Sequence, residues 1–256
     1  MSQGSVSARV QGSVATVTLS RPPLNILNLE MMQSLHAALG SLSENPGVGV
    51  IVLRSALPGV FSAGADVREH LPESAERLIT TFEGLVTGLI SSRAVTVAVV
   101  DGKCLGGGME VAMACDIVLA TEGSTFGHPE VKVGVYPPAA AALYPKIAGL
   151  RNALRIVLTG GSVSATEAHS MGLVTEVAKE GELEARVEEI SGSLGENSKK
   201  VMELSKRAVY QSLGEPAGEA LRGSSRLYLG ELMKTEDATE GLSAFLEKRK
   251  PSWKGR

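Results

Sequence analysis

Glu110 sits in GGGMEVAMACD (106–116), a carboxylate carried behind Gly106, Gly107 and Gly108 into an otherwise apolar run. Twenty positions later, Glu130 stands in STFGHPEVKVGVYPP, behind a proline and ahead of a second apolar stretch. Two carboxylates in such settings fit general acid–base chemistry, one activating water and the other delivering a proton. The glycines suggest the complementary half of that chemistry. Glycine costs about 1 kcal/mol against alanine in a helix, so a triple fits a place where a ligand approaches the backbone closely. A strand ending at Asp101, a glycine turn and a helix opening near Gly107 present unpaired N–H groups at the positive end of a helix dipole. Neither G-x-x-x-x-G-K-[ST] nor G-x-G-x-x-G is present, so the pattern gives no support for a nucleotide phosphate. The remaining guest is an oxyanion that develops during reaction, for example on a thioester carbonyl, where preorganised donors contribute several kcal/mol.

A second donor is expected from FSAGADVREH (61–70), where Gly64 permits a tight turn and leaves the N–H of Ala65 free to point inward. Each residue also has a plainer account. The 61–70 segment is then a simple turn, Glu110 the N3 residue capping its own helix, Glu130 a solvated loop carboxylate, and His128 a packed or exposed imidazole. A helix N-terminus lowers the pKa of Glu110 while Met109, Val111 and Met113 raise it, so sequence alone does not set its protonation state.

The elements that must position these groups read as an α/β pattern. SVATVTL (13–19), VGVIVLR (48–54) and AVTVAVVDG (94–102) are rich in β-branched residues and predict strands, as does the shorter IVLAT (117–121). Asn28 caps a helix that runs to about Ser43, and residues 73–92 form another. After about residue 138 the pattern becomes helix upon helix, with a Ser164–Glu167 capping box and one last strand at 172–178. The division that follows is a core over 1–195 and a helical extension over 196–256. That extension must dock, since Val201, Leu204 and Val209 would otherwise be exposed.

Composition narrows the classes of function. A net charge of -3 is poor for coating nucleic acid. Only Cys104 and Cys115 occur, in no metal or redox spacing, which fits thiols in a reducing compartment. The N-terminus has neither a basic start nor an apolar core of the signal-peptide type, and no apolar run approaches about 18 residues. The expectation is a cytoplasmic protein with no membrane or nucleic-acid partner and no metal.

LSRPPLNILN (19–28), FSAGADVREH (61–70), VDGKCLGGGMEVAMACDIVLAT (100–121), FGHPEVKVGVYP (126–137), LTGGSVSATEAHSMGLVTEV (158–177) and EGLSAFLEKRKPSW (240–253) occur in this order. Together they resemble the crotonase, or enoyl-CoA hydratase/isomerase, superfamily over nearly the whole chain. The resemblance implies a crotonase-type spiral of ββα units and a helical C-terminal region (196–256) that assembles trimers or dimers of trimers. It implies an acyl-CoA thioester as substrate, with coenzyme A entering as part of that substrate and no separate cofactor. By position, Ala65 and Gly107 match the oxyanion donors and Glu110 and Glu130 the two hydratase glutamates. Ala63, Ala65, Asp66, Val67 and Arg68, with Gly107, match the residues that hold the CoA thioester. In the implied reaction Glu110 holds and deprotonates water and Glu130 exchanges a proton at carbon, with shared or swapped roles left open.

Two departures bear on the acyl group: His128 stands where many hydratases have Gln, and Tyr136–Ala142 replaces a glycine-rich segment. With RPPLNILN and ADVREHLPE, these are most similar to the alicyclic dienoyl-CoA hydratases of anaerobic benzoyl-CoA breakdown, which act on cyclohexa-1,5-diene-1-carbonyl-CoA. The alternatives are a straight-chain enoyl-CoA hydratase, an enoyl-CoA isomerase and, more remotely, a non-catalytic RNA- or protein-binding member. His70 and His128 either shape a ring pocket or pack, and packing is the expectation.

Overall fold

The computed structural model describes residues 5–256. The chain opens with an antiparallel pair, β1 (Val6–Gln11) and β2 (Val14–Leu19), then a loop and helix α1 (Leu29–Glu44). Asn28 caps α1, its side chain accepting from the N–H of Met31. Three turns of one unit follow, each a long strand, a short strand and a helix. The first is β3 (Val50–Ser55), β4 (Val60–Ser62) and α2 (Pro72–Ile90). The second is β5 (Val95–Val100), β6 (Lys103–Leu105) and α3 (Gly107–Met113). The third is β7 (Ile117–Thr121), β8 (Thr125–Gly127) and α4 (Pro138–Ile147).

Helix α5 (Leu150–Thr159), strand β9 (Ser162–Ser164), helix α6 (Ala165–Ser170) and strand β10 (Glu176–Ala178) close the two sheets. The capping box at Ser164 and Glu167 is formed in full. Helices α7 (Leu183–Gly195), α8 (Lys199–Gln211), α9 (Ala217–Gly230) and α10 (Glu236–Leu246) complete the chain.

The long strands form a six-stranded sheet in the order β1-β2-β3-β5-β7-β10, parallel from β2 onward. The short ones form a second sheet, β4-β6-β8-β9, whose first three members are parallel. This is a spiral of ββα turns, and it explains the unbroken apolar runs of β3 and β5. Both are covered on two faces: Ile51, Leu53, Ala98 and Val100 enter the main core, while Val50, Val52, Val97 and Val99 pack beneath α7.

The second sheet is absent from the sequence reading, because its three-residue strands are too short to show a period. Strand β1 is also new, and the strand read over 172–178 narrows to β10. The helical extension docks through α8. Leu204 is buried, Lys206 pairs with Asp116 at 2.8 Å, and Lys199 Nζ donates to the carbonyls of Pro46 and Gly47, whereas Val209 stays exposed. Among the described residues no helix is long and apolar enough to cross a membrane, and no cluster of His, Cys, Asp and Glu is placed to hold a metal ion.

Candidate active site

The small sheet gathers the chemistry. Its neighbouring parallel strands β4, β6 and β8 end side by side, and their C-terminal ends lead into Ala63–Ala65, Gly106–Gly108 and His128–Glu130. Open α/β sheets bind ligands at such carboxyl ends. The cleft here has a volume of about 570 Å³. Ala63, Ala65, Val67, Gly107, Glu110 and Glu130 all contribute to its wall, against an apolar side formed by Leu78, Ile79 and Phe82 of α2.

The loop after β4 is held from the N-terminal segment. Asn25, buried at φ 48°, donates from Nδ2 to the carbonyl of Phe61 at 2.9 Å, and Ser62 Oγ donates to the carbonyl of Asn25 at 2.7 Å. Leu27 then bridges to Ala65: its N–H donates to the Gly64 carbonyl at 2.9 Å, and its own carbonyl accepts from the Asp66 N–H at 3.2 Å. In a trans peptide C=O and N–H point in opposite directions. Fixing the Gly64 carbonyl on Leu27 therefore turns the Ala65 N–H the other way, toward α3. Gly64 adopts φ +103°, which a residue with a Cβ rarely does.

Each glycine of the triple has a different cause. Gly106 has φ 53° and ψ −133°, and a Cβ there would lie 2.7 Å from Glu130 Oε1. At Gly107 a Cβ would come within 3.3 Å of the Ala65 nitrogen, so the absence of a side chain lets the two peptide units approach. Gly108 meets β4, where a Cβ would stand 2.6 Å from Ser62 Cβ. Among the described residues neither the Ala65 nor the Gly107 N–H has an intramolecular acceptor. Two adjacent free donors facing a cleft are the geometry of an oxyanion hole.

Gly108→Ala must push α3 off β4, because Ser62 is short and committed both to Asn25 and to the Gly64 N–H at 3.1 Å. A loss of about 1–3 kcal/mol is expected from overpacking, measured by denaturant unfolding, together with a fall in kcat as the Ala65 donor moves. Unchanged stability and turnover would show that this contact yields freely.

Glu110 is almost wholly buried, and Oε1 accepts from the N–H of Ala140, in the first turn of α4, at 2.9 Å. The helix opens at Gly107, as expected. Gly106 is the N-cap, so Glu110 is not the N3 residue, and its carboxylate serves α4 instead of its own helix. Burial pushes its carboxyl up to about 7; the Ala140 N–H offsets part of that rise, and Glu130 adds to it. Glu130 lies on a short 3₁₀ turn, Pro129–Val133, with its side chain only 13% exposed, so it is not a solvated loop carboxylate. Its Oε2 is buried without a partner.

The remaining predicted residues divide. Asp66 turns away from the cleft to cap a short 3₁₀ turn, Val67–His70, and to pair with Arg68 at 2.7 Å, which holds its carboxyl below the usual range. The Arg68 guanidinium faces solvent. His70 lines the cleft, its Nδ1 3.0 Å from the Asp66 carbonyl, whereas His128 is fully buried behind the wall. The sequence reading does not single out Asn25, Leu27, Phe82, Ala140 or Tyr144. The Pro137-Pro138 pair ahead of an alanine run is the one signal for a helix N-terminus at Ala140.

The family model for enoyl-CoA hydratase/isomerase matches residues 9–256. Among curated proteins, the cyclohexa-1,5-dienecarbonyl-CoA hydratase of Thauera aromatica is 34% identical, covering 96% of this chain and 94% of its own length. A probable enoyl-CoA hydratase of Rhizobium meliloti is 35% identical over the full length of both. Among solved structures, the enoyl-CoA hydratase of Bacillus anthracis superposes with a TM-score of 0.92 at 28% identity, covering 99% of this chain and all of its own. The ββα spiral is thus a known architecture, and this chain belongs to the enoyl-CoA hydratase/isomerase family.

Proposed function

We propose that this hydro-lyase of the enoyl-CoA hydratase type adds water to cyclohexa-1,5-diene-1-carbonyl-CoA. The observation that carries the hydratase reading is the meeting of two carboxylates and two free N–H groups in one apolar cleft. The thioester carbonyl accepts from the N–H groups of Ala65 and Gly107, which stabilise enolate character as the C–O bond forms. Glu110 takes a proton from water, whose oxygen adds to the unsaturated acyl group. Glu130 gives a proton to carbon, so that one H and one OH are added in all. Ala63, Ala65 and Val67 flank the thioester arm, and Asp66 with Arg68 orders the turn behind them. Coenzyme A enters as part of the substrate.

The cyclic acyl group is supported by likeness to the Thauera hydratase and by the Tyr136–Ala142 stretch that opens α4. The near-equal identity to a probable enoyl-CoA hydratase favours a straight-chain substrate as the second reading. A homotrimer, or a dimer of trimers, belongs to the proposal. The exposed stripe Leu150, Leu154 and Leu158 on α5 and the exposed Phe245 and Leu246 on α10 support it. A reducing, cytoplasmic setting is supported by Cys104 and Cys115, both buried with their thiol pKa values pushed up, Cys115 to about 12.

Turnover in oxygen-18 water, with crotonyl-CoA and the cyclic dienoyl-CoA offered together, tests the reading by mass spectrometry. Label entering chiefly the cyclic product is expected. Label chiefly in hydroxybutyryl-CoA would establish the straight-chain reading, and label in neither would overturn hydration.

A further inference from the structure

Helix α4 reaches both carboxylates. Its third residue, Ala140, donates to Glu110. One turn later, Tyr144 places its hydroxyl 2.8 Å from His128 Nε2, and the other ring nitrogen, Nδ1, stands 3.4 Å from Glu130 Oε1. Tyr144 and His128 are both fully buried, so water does not compete for these contacts. The rings are tilted by 55° at a centroid distance of 5.3 Å.

Donor and acceptor counting fixes the direction of the chain. Among the described residues the Tyr144 hydroxyl has no hydrogen-bond partner but His128. A buried O–H left without an acceptor is costly, so the hydroxyl donates to Nε2 and the ring proton resides on Nδ1. That N–H faces Glu130. It lies 3.4 Å from each carboxylate oxygen but has hydrogen-bond geometry with Oε1 alone, which leaves Oε2 unpartnered. Nothing else among the described residues donates to the Glu130 carboxylate.

We propose that Tyr144 and His128 are positioning residues for hydration, a buried arm of α4 that holds the Glu130 carboxylate in place at the wall of the cleft. The proposal rests on the hydratase reading of the same cleft. A short 3₁₀ turn leaves a glutamate side chain several rotatable bonds, and a misplacement of about 1 Å costs on the order of 100-fold in rate. A pair that merely filled space would serve equally well as apolar groups of the same volume.

Three variants separate positioning from packing. In His128→Asn the amide nitrogen takes the place of Nδ1 and retains the contact to Glu130; His128→Leu fills the site without a donor; Tyr144→Phe removes only the hydroxyl. With the preferred thioester, His128→Leu is expected to lower kcat on the order of 30-fold with KM within about threefold. His128→Asn should restore kcat to within about fivefold of the parent, and Tyr144→Phe should fall between the two. Equal losses in the Asn and Leu variants, or a folded Leu variant within about threefold of the parent, would overturn the proposal.

A second readout does not depend on turnover. The nitrogen-15 spectrum of histidine-labelled parent protein, which contains four histidines, reports the His128 tautomer, with His128→Asn identifying the signal. The proton is expected on Nδ1, and a proton on Nε2 would overturn the arm. A parent protein that hydrates neither thioester would overturn the functional reading, while this spectrum would still decide the positioning pair.

Discussion

Glu130→Gln is expected to lower kcat by about 10³–10⁴-fold, the scale of a lost general acid, while a saturated acyl-CoA binds within threefold of the parent. Glutamine has nearly the volume of glutamate and presents a carbonyl oxygen to His128 Nδ1, so the wall of the cleft keeps its shape. What disappears is the exchangeable carboxyl proton. Stopped-flow turnover and calorimetric titration with butyryl-CoA separate the two quantities. A variant within tenfold of the parent, about 1.4 kcal/mol in barrier, would remove Glu130 from the proton-transfer step.

Glu110→Gln is expected to have two opposite effects. Turnover falls by about 10²–10⁴-fold because the amide takes no proton from water. Stability above neutral pH rises. The Glu110 carboxyl moves from an ordinary 4.5 to about 7 on folding, mostly through burial. Between these values the folded chain holds a proton that the unfolded chain has released. Stability therefore falls as pH rises through this window, and the full cost, about 3 kcal/mol, is present above pH 7. Glutamine keeps the hydrogen bond from Ala140 and carries no charge to bury. Its Tm should exceed that of the parent at pH 8.5 by about 2–4 °C per kcal/mol, and the gap should close toward pH 4.5. An equal gap at pH 5 and pH 8.5 would show that the carboxylate is not desolvated. In the parent, kcat/KM should climb with pH through about 7 as Glu110 becomes available as a base.

The ingredients of the site are legible in the sequence because their types are out of place: a carboxylate behind three glycines, another in an apolar stretch, a glycine where β4 leads into α2. Their arrangement is less so. The strands that bring them together have only three residues each, and their pairing is decided by the spiral and not by local preference. Asn25 reads as an ordinary loop residue until its positive φ and its contact to Phe61 reveal it as the post that orients Ala65. His128 and Tyr144 are separated by fifteen residues of turn and helix outside any local motif, and only the return of α4 puts one ring against the other. Helix α3 opens where the sequence places it, at Gly107, but with Gly106 as N-cap Glu110 falls one position past N3 and becomes the partner of another helix.

The donors proposed at Ala65 and Gly107 belong to the main chain, whereas the proposed proton carriers are two side chains. Inheritance therefore acts unevenly on the two halves of the reaction. A codon change at position 110 or 130 deletes a chemical step in one event, yet nearly every amino acid at position 65 still supplies the same N–H; proline alone lacks it. At position 65 the proposed grip on a carbonyl therefore survives side-chain exchange, whereas each proposed proton transfer rests on a single codon.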